Sequence, residues 1–198
     1  MAACYNQSRY NGEGREEPVV VYGTEGLERR EQAYELLAQS VRLTWGLDPL
    51  PEIQRAEEGK PYFPQDPERE FNLSHSGSLA LCALDQKPVG VDIQVVKQWR
   101  PGLPARVCSP EELAWLEGEG ELWPAFTTLW AMKESRVKCT GRGIRERLSG
   151  IRVPIPHVGV SLYALDGMWF RIYEGEGWRG AACGFAPPPE TIEWLGRL

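Results

Sequence analysis

The chain has 198 residues, of which 42% are hydrophobic and 25% charged, a composition typical of globular proteins and unlike that of disordered chains. Its 22 Lys and Arg against 28 Asp and Glu give a formal charge of −6, which argues against a surface built mainly for nucleic acid or an anionic membrane. The five cysteines form no C-x-x-C pair, and no segment approaches the roughly 20 apolar residues of a membrane span. We therefore expect a soluble protein of the reducing cytoplasm.

The first predicted elements are a strand and a helix. Residues 1–18 are polar, rich in Gly and Glu and without periodicity, and are predicted to be a mobile lead-in. A β-rich run follows at 19–22. One helical stripe then extends to Gly46, which ends it, through Leu27, Tyr34, Leu37, Val41 and Trp45. Prolines make the segment from 49 to 67 irregular, with Ile53 in a short strand.

The middle of the chain predicts a β-hairpin. Residues 79–84 have the pattern of a strand, 85–88 that of a turn, and 89–96 that of the returning strand. Side chains alternate between the two faces of a strand, so the returning strand has a valine-rich face and a second face with Gly90, Asp92 and Gln94. The second face presents a carboxylate beside an amide.

Two helices are predicted after this hairpin. Ser109 can cap the first, Pro110 suits its first position, and Glu112 can complete a capping box. The second helix runs from Pro124 to about residue 139, before glycines at 141 and 143. Its residues Trp130, Glu134 and Lys138 share one face because they are spaced by four.

The last part of the chain predicts an antiparallel meander. Strands are expected at 159–165, 168–173 and 178–185, with an Asp166-Gly167 turn between the first two. The segments 83–85 and 164–166 both have the sequence Ala-Leu-Asp and both end an apolar strand at a turn, which hints at a duplicated plan.

Asp92 and Glu134 are the carboxylates with chemical potential. A mid-strand aspartate is costly to bury unpaired, so Asp92 needs a cation, either a basic side chain or a metal ion, unless it lies on an exposed face. Glu134 and Lys138 can be an ordinary helix-stabilising pair. However, seven basic residues lie between 133 and 152, a cluster that suits phosphate or an acidic partner unless it is simply a solvated face. Residues 71–77 combine hydroxyls, an imidazole and a glycine, which suits either anion binding or polar turn chemistry.

Five segments taken in order resemble one family. They are Gly59-Lys60-Pro61, the run Phe71-Asn72-Leu73-Ser74-His75-Ser76, Gly90-Val91-Asp92-Ile93, Cys108-Ser109-Pro110-Glu111-Glu112, and the W-x-x-K-E-x-x-x-K helix from Trp130 to Lys138 followed by Gly141 and Gly143. This combination, over about residues 28–145, resembles the surfactin-type 4′-phosphopantetheinyl transferases. The aspartate motif and the helix motif at this separation are its most specific parts.

The resemblance implies an α+β fold with two similar halves, related by a pseudo-twofold axis, and an active site between them. We expect a division into 19–100 and 101–198 within one compact unit. The implied reaction moves the 4′-phosphopantetheine group of coenzyme A onto a serine of an apo acyl, peptidyl or aryl carrier protein and releases adenosine 3′,5′-bisphosphate. Fatty acid, polyketide and nonribosomal peptide synthesis use such carriers. A monomer is expected, with coenzyme A and the carrier as its only partners.

Roles for individual residues also follow from the resemblance. Asp92 and Glu134 are expected to coordinate Mg²⁺, with Mn²⁺ as an alternative ion, and Glu134 also to accept the proton of the carrier serine. Lys138 is expected to neutralise charge on the phosphates. Coenzyme A is expected to contact Lys60, Ser74, His75 and Arg30, with His75 and Arg30 directed at its 3′-phosphate.

Two features depart from the family pattern. Gln94 stands where many relatives have a second acid, so it is expected to be a weak metal ligand or to leave that position to water. The segment before the first helix is short, so basic contacts from that region are expected to be missing or replaced.

Two other function classes remain open from the residues. A non-catalytic module that binds coenzyme A or a carrier protein would bind without forming product. A metal-dependent phosphohydrolase would release phosphopantetheine without any carrier.

Overall fold

A computed structural model describes residues 18–141 and 147–197. The predicted lead-in, apart from Pro18, lies outside these residues, as do Arg142 and Arg145 of the basic cluster. In chain order the elements are β1 (Val20–Glu25), a 3-10 turn (Arg30–Gln32), α1 (Ala33–Trp45), β2 (Gln54–Arg55), β3 (Pro61–Tyr62), β4 (Glu70–Ser76), β5 (Leu79–Asp85), β6 (Val89–Val95), α2 (Pro104–Val107), α3 (Pro110–Gly118), α4 (Leu122–Thr140), a 3-10 turn (Leu148–Gly150), β7 (Leu162–Leu165), β8 (Met168–Gly175), β9 (Trp178–Gly184) and β10 (Glu193–Arg197). The fold is mixed α+β, as expected.

Two four-stranded sheets form the centre of the molecule. Their strand orders are β10-β1-β5-β4 and β6-β9-β8-β7, and β2 and β3 form a separate short hairpin. One face of the first sheet packs on α1, and one face of the second packs on α4. The other two faces meet in a shared apolar core that includes Val21, Leu81, Val91, Ile93 and Ala182. The layers therefore run α1, first sheet, second sheet, α4.

The helix α1 begins later than its apolar stripe predicted. Its buried positions include Leu36, Leu37 and Val41, whereas Tyr34 is 38% exposed and points away from that core. The helix ends at Gly46, as predicted, because this residue has a φ of +66° that a glycine adopts without strain.

The two sheets repeat one topological plan. The order strand, helix, strand, strand occurs first as β1, α1, β4 and β5 and again as β6, α4, β8 and β9. The corresponding strands are arranged as β1-β5-β4 and β6-β9-β8, so the duplicated plan is present. The Ala-Leu-Asp hint was misplaced, however, because residues 83–85 end β5 whereas 164–166 cover the end of β7 and the turn after it, and β7 has no counterpart in the first sheet.

The predicted hairpin of β5 and β6 was wrong. β5 is a central strand whose two edges are taken by β1 and β4, so β6 instead pairs with β9 in the second sheet. An alternating pattern and a turn indicate that two strands follow one another in the chain. They do not indicate which strands will be hydrogen-bonded to each other in a sheet. The expected meander of β7, β8 and β9 is present, and its Asp166-Gly167 turn has φ values of +52° and +75°.

Side chains join the edge strands β4 and β6 where no backbone ladder does. The Asn72 side-chain carbonyl accepts the Val91 N–H at 2.9 Å, Ser74 Oγ that of Ile93 at 3.2 Å, and Ser76 Oγ that of Val95 at 3.0 Å. Alternate residues of β4 thus satisfy alternate amides of β6. The polar segment 71–77, for which the sequence suggested anion binding or turn chemistry, connects the two sheets.

Other sequence predictions have mixed outcomes. Ser109 caps α3 and forms the predicted capping box with Glu112. Strand β10 was not predicted, because its partner β1 is about 170 residues away in the chain and no local pattern indicates the pairing.

The division of the chain at residue 100 stays a prediction. Two strand pairs join residues on either side of it, β6 with β9 and β1 with β10. Among the described residues, no helix is long and apolar enough to span a membrane.

Candidate active site

A cleft of about 530 Å³ opens where β4 and β6 meet. Its walls come from the start of α1, the turn between β2 and β3, and one face of α4. All the site residues predicted from the sequence line this cleft: Arg30, Lys60, Ser74, His75, Asp92, Gln94, Glu134 and Lys138. The fold therefore brings together side chains that lie more than one hundred residues apart in the chain, and the role of each one stays a prediction.

Asp92 is the most buried charged group of the cleft, at 1% exposure. Its Oδ1 accepts hydrogen bonds from Lys138 Nζ at 2.6 Å and Ser74 Oγ at 2.7 Å, and its Oδ2 accepts one from Gln94 Nε2 at 2.9 Å. A buried carboxylate needs such donors, because desolvation without them costs several kcal/mol. Lys138 thus supplies the cation that the mid-strand aspartate requires.

Gly90 allows this contact between strand and helix. A Cβ added at Gly90 would overlap the Ser135 carbonyl oxygen and the Cys139 amide of α4, so only glycine lets the β6 backbone come so close. Because Asp92 lies two residues further along the same face, the close approach places its carboxylate beside Lys138. The sequence identified Gly90 only as part of a motif, and its packing role became visible in the structure.

Glu134 faces Asp92 across the cleft and is half-buried. Burial and the negative charge of Asp92 raise the pKa of Glu134, and the positive charge of Lys138 partly opposes this. Its carboxylate has no hydrogen-bond partner among the residues that the structure describes. A carboxylate with a raised pKa in this position is suited to accept a proton near neutral pH.

The carboxylates of Asp92 and Glu134 and the side-chain amide of Gln94 offer oxygen donors of the kind that hard divalent cations prefer. The negative charge of Asp92 contributes to the raised pKa of Glu134, and a bound cation would offset that repulsion. Within the described ranges, no group of three or more His, Cys, Asp and Glu side chains is arranged to hold a metal ion. The donor set therefore fits a metal that is completed by substrate or water, and a closed structural site is not formed.

The predicted coenzyme A contacts differ in their surroundings. Partial burial, followed by the charges of Arg30 and Lys138, lowers the pKa of His75, which places Arg30 and His75 near one another. Lys60 is engaged differently, since its Nζ donates to Glu70 Oε2 at 2.7 Å and to the Cys139 carbonyl at 3.3 Å. Its charge is neutralised within the fold, and it ties β4 to the end of α4.

The basic cluster at 133–152 is not one continuous positive surface. Lys133 is fully buried, where it pairs with Glu112 at 2.9 Å and donates to the carbonyls of Leu148 and Ile151. Arg136 pairs with Asp166 at 3.0 Å and also donates to the Arg152 carbonyl. The side-chain charge of Lys133 therefore serves packing, which a count of basic residues does not reveal.

Tyr34 and Arg55 are among the cleft residues that sequence reasoning missed. Tyr34 was assigned to the buried helical stripe, and Arg55 carried no motif. The buried face of α1 is centred on Leu36, Leu37 and Val41, and Tyr34 does not belong to it. A helical stripe drawn one position earlier would have left Tyr34 off the core face and identified it as a candidate cleft residue.

Comparison with known proteins adds a family to this geometry. Residues 88–183, which extend from β6 into β9, match the 4′-phosphopantetheinyl transferase superfamily. The chain is 34% identical over 160 residues to a protein from Bacillus subtilis named 4′-phosphopantetheinyl transferase, covering 77% of this chain and 71% of the relative. It is 35% identical over 144 residues to the 4′-phosphopantetheinyl transferase Sfp of Bacillus subtilis strain 168, covering 69% and 64% of the two chains. With AcpT of Salmonella typhimurium strain LT2 it shares 41% identity over 111 residues, or 53% of this chain and 57% of the relative.

Proposed function

This chain belongs to the 4′-phosphopantetheinyl transferase superfamily, and on that premise we propose that it transfers the 4′-phosphopantetheine group of coenzyme A to a serine of an apo carrier protein. Adenosine 3′,5′-bisphosphate is the second product. The observation that carries the proposal is that Asp92, Glu134 and Lys138 line the same open cleft, where Lys138 pairs with Asp92. The relatives with which the chain aligns are named transferases, which favours catalysis over the alternative of a binding module.

In this proposal the cationic side chains of the cleft bind the phosphates of coenzyme A. Lys138 is positioned between the buried Asp92 carboxylate and the cleft, so it can neutralise charge that develops on the pyrophosphate. His75 and Arg30, which lie near one another, are proposed to bind the 3′-phosphate of coenzyme A.

In this proposal Glu134 is the base that accepts the proton of the carrier serine. Its raised pKa makes it a stronger base than an ordinary glutamate, and it lines the cleft without a competing hydrogen bond from the described residues. We assign to it the removal of the proton from the carrier serine, either directly or through a water molecule. Asp92 cannot easily take this role, because Lys138 and Ser74 already occupy its Oδ1.

The proposal also includes a magnesium ion in the cleft. Asp92 and Glu134, with Gln94 as a weaker ligand, would hold Mg²⁺ or Mn²⁺, and the ion would supply positive charge at the pyrophosphate. As found, the Gln94 amide nitrogen points at Asp92, so its oxygen is the atom left for a ligand.

We also propose the kind of carrier, the oligomeric state and the cellular location. A carrier with an acidic helical surface would be attracted by the exposed arginines, such as Arg152, which is 71% exposed at its side chain. Both walls of the cleft come from one chain, so a monomer suffices for activity. We propose the cytoplasm as its location, where coenzyme A and apo carriers occur together.

Intact-protein mass spectrometry of a panel of apo carriers tests the function. With the protein, coenzyme A and Mg²⁺, we expect one carrier to gain the mass of phosphopantetheine, and a chelator to prevent the gain. Glu134→Gln is expected to slow transfer by about a hundredfold or more, because it removes the base. Glu117→Gln, on the exposed side of α3 outside the cleft, is the matched control.

The same experiment separates the alternatives. Coenzyme A binding without any modified carrier would favour a binding module. Release of phosphopantetheine in the absence of a carrier would indicate a phosphohydrolase. If Glu134→Gln kept full activity, another group would have to be the base.

A further inference from the structure

The Asp92 carboxylate has most of its hydrogen-bonding capacity in use. Its Oδ1 accepts from Lys138 Nζ at 2.6 Å and from Ser74 Oγ at 2.7 Å, which engages both lone pairs of that oxygen. Its Oδ2 accepts from Gln94 Nε2 at 2.9 Å. Oδ2 is therefore the oxygen through which Asp92 can bind a divalent cation, and Gln94 is already bonded to it.

The orientation of the Gln94 side chain follows from the charge of its partner. Asp92 is paired with Lys138 at 2.6 Å, and a carboxylate paired with an ammonium group can only accept hydrogen bonds. The NH₂ group of Gln94 must therefore face Asp92, as the structure shows. A glutamate at this position would instead bring a second carboxylate, with its own negative charge, beside the first.

The charges around Asp92 also disfavour a cation that arrives by itself. Lys138 cancels the charge of Asp92, so among Asp92, Glu134 and Lys138 only Glu134 adds net negative charge to the cleft. Gln94 adds none. The affinity of oxygen ligands for a hard cation depends on how many of them are charged, so the pyrophosphate of coenzyme A would supply much of the attraction that these residues lack.

We propose that Gln94 competes with a divalent cation for Asp92 Oδ2, so that the cation binds tightly only together with coenzyme A. The inference rests on the proposed function, because it concerns the ion and the substrate of the same cleft. It goes beyond a role of Gln94 as a weak ligand, since the hydrogen bond from its amide opposes the ion. Gln94 thus makes metal binding dependent on the substrate.

Binding of Mn²⁺ tests the proposal without measuring activity, because the electron paramagnetic resonance signal of the free ion disappears on binding. Coenzyme A is expected to tighten Mn²⁺ binding to the wild type by about tenfold, and Mn²⁺ to tighten coenzyme A binding by the same factor. Asp92→Asn should abolish the Mn²⁺ binding that depends on coenzyme A, which identifies the site being measured.

Two substitutions of Gln94 should strengthen Mn²⁺ binding in the absence of coenzyme A. Gln94→Glu adds a charged oxygen ligand, and its affinity for Mn²⁺ should exceed that of the wild type by about tenfold. Gln94→Met keeps the length of the side chain but donates no hydrogen bond and offers only a soft thioether, so it releases Asp92 Oδ2 without adding a ligand for Mn²⁺. Its affinity should rise by about threefold, the effect of losing one modest hydrogen bond.

A matched control adds the same charge elsewhere. Gln98→Glu lies four residues further along the chain, is exposed and does not line the cleft, so it should leave Mn²⁺ binding unchanged. In both Gln94 variants, coenzyme A should tighten Mn²⁺ binding by a smaller factor than in the wild type.

Gln94→Met distinguishes competition from ligation. A lower Mn²⁺ affinity than that of the wild type, measured without coenzyme A, would show that Gln94 is a ligand there. An unchanged affinity would show that its hydrogen bond does not compete with the ion. Either result would overturn the proposal, and so would a wild type that binds Mn²⁺ as tightly without coenzyme A as with it.

Dephospho-coenzyme A, which lacks the 3′-phosphate but keeps the pyrophosphate, tests the charge argument. It should tighten Mn²⁺ binding to the wild type, whereas adenosine 3′-monophosphate, which has no pyrophosphate, should not. Equal tightening by both ligands would contradict the part assigned to the pyrophosphate.

The wild type separates this inference from the proposed function. If the wild type binds coenzyme A and modifies a carrier while the Gln94 variants bind Mn²⁺ as it does, only the role of Gln94 fails. If the wild type does not bind coenzyme A, the proposed function fails, and the dependence of Mn²⁺ binding on coenzyme A fails with it. Circular dichroism of each variant establishes that it is folded, which the half-buried location of Gln94 at the cleft favours.

Discussion

At the scale of single residues, the candidate site depends on charges that are satisfied before any ligand arrives. Asp92 is buried and is tied to Lys138, Ser74 and Gln94, so its carboxylate is oriented by three donors. Glu134, by contrast, has no such donors in the described structure, and burial raises its pKa. The two carboxylates of the same cleft thus have different surroundings, and the proposed function gives them different tasks: Asp92 holds charge and Glu134 moves a proton.

The ion pair of Lys138 with Asp92 predicts a stability effect. Lys138→Met leaves a buried carboxylate without its cation and should lower the free energy of unfolding by about 2 kcal/mol, less than for a fully buried pair because Lys138 is 26% exposed. Urea unfolding at neutral pH measures the change. Adding Asp92→Asn to Lys138→Met should recover part of the loss, since both charges are then absent. A double variant less stable than the single one would contradict this account.

His75 predicts a pH dependence of coenzyme A binding. Partial burial, Arg30 and Lys138 lower the pKa of His75, and Asp92 and Glu31 oppose them only in part, so the free protein holds a neutral imidazole at pH 7. A bound phosphate favours the charged form and raises that pKa. Binding should therefore take up a proton, and affinity should increase as the pH falls from about 8 to 6.

Calorimetry in buffers of different ionisation enthalpy measures this proton uptake. His75→Gln should abolish the increase in affinity at low pH, and dephospho-coenzyme A should show less of it if His75 contacts the 3′-phosphate. Proton release on binding would contradict the predicted sign.

At the scale of elements, the site depends on how closely β6 approaches α4 and β4. Gly90 permits the first contact, and the side chains of Asn72, Ser74 and Ser76 make the second. Ser74 takes part in both, because its hydroxyl accepts the Ile93 amide and bonds to Asp92. The strand that carries the aspartate is therefore held on both sides, and the position of the carboxylate follows from these contacts.

Gly90→Ala tests the close approach of strand and helix. The added methyl group meets backbone atoms of α4, which cannot move as a flexible side chain would, so we expect a loss of about 3 kcal/mol or a failure to fold. Gly102→Ala is the matched control, because a Cβ at Gly102 meets open space and its φ is unexceptional. Thermal unfolding of both variants measures the difference. Equal stabilities would show that the helix can retreat at little cost.

At the scale of the whole molecule, the cleft is a product of the duplicated plan. Each unit contributes a sheet and a helix, the sheets share an apolar core, and their edge strands β4 and β6 meet beside the cleft. The first unit supplies the cationic wall with Arg30 and Arg55, and the second supplies Asp92 and Glu134. Neither unit by itself supplies all the side chains that line the cleft. Strand β10, near the end of the described chain, pairs with β1 and so joins the last part of the chain to the first sheet.

The sequence by itself determined the local features and named candidate residues that line one cleft. Ser109 and Glu112 predicted a capped helix, Asp166-Gly167 a turn, and Trp130, Glu134 and Lys138 a shared helical face, because each pattern depends on neighbours within about four residues. The motifs also identified the side chains that the cleft brings together.

Only the tertiary structure decided which elements are partners and which charges are available. It paired β6 with β9 instead of β5, and it buried Lys133 against Glu112 and Lys60 against Glu70. It also brought Arg55 within hydrogen-bond distance of the Tyr34 hydroxyl. These outcomes depend on contacts between residues far apart in the chain, whose free energies come from packing and desolvation in the folded state, and no local pattern encodes them.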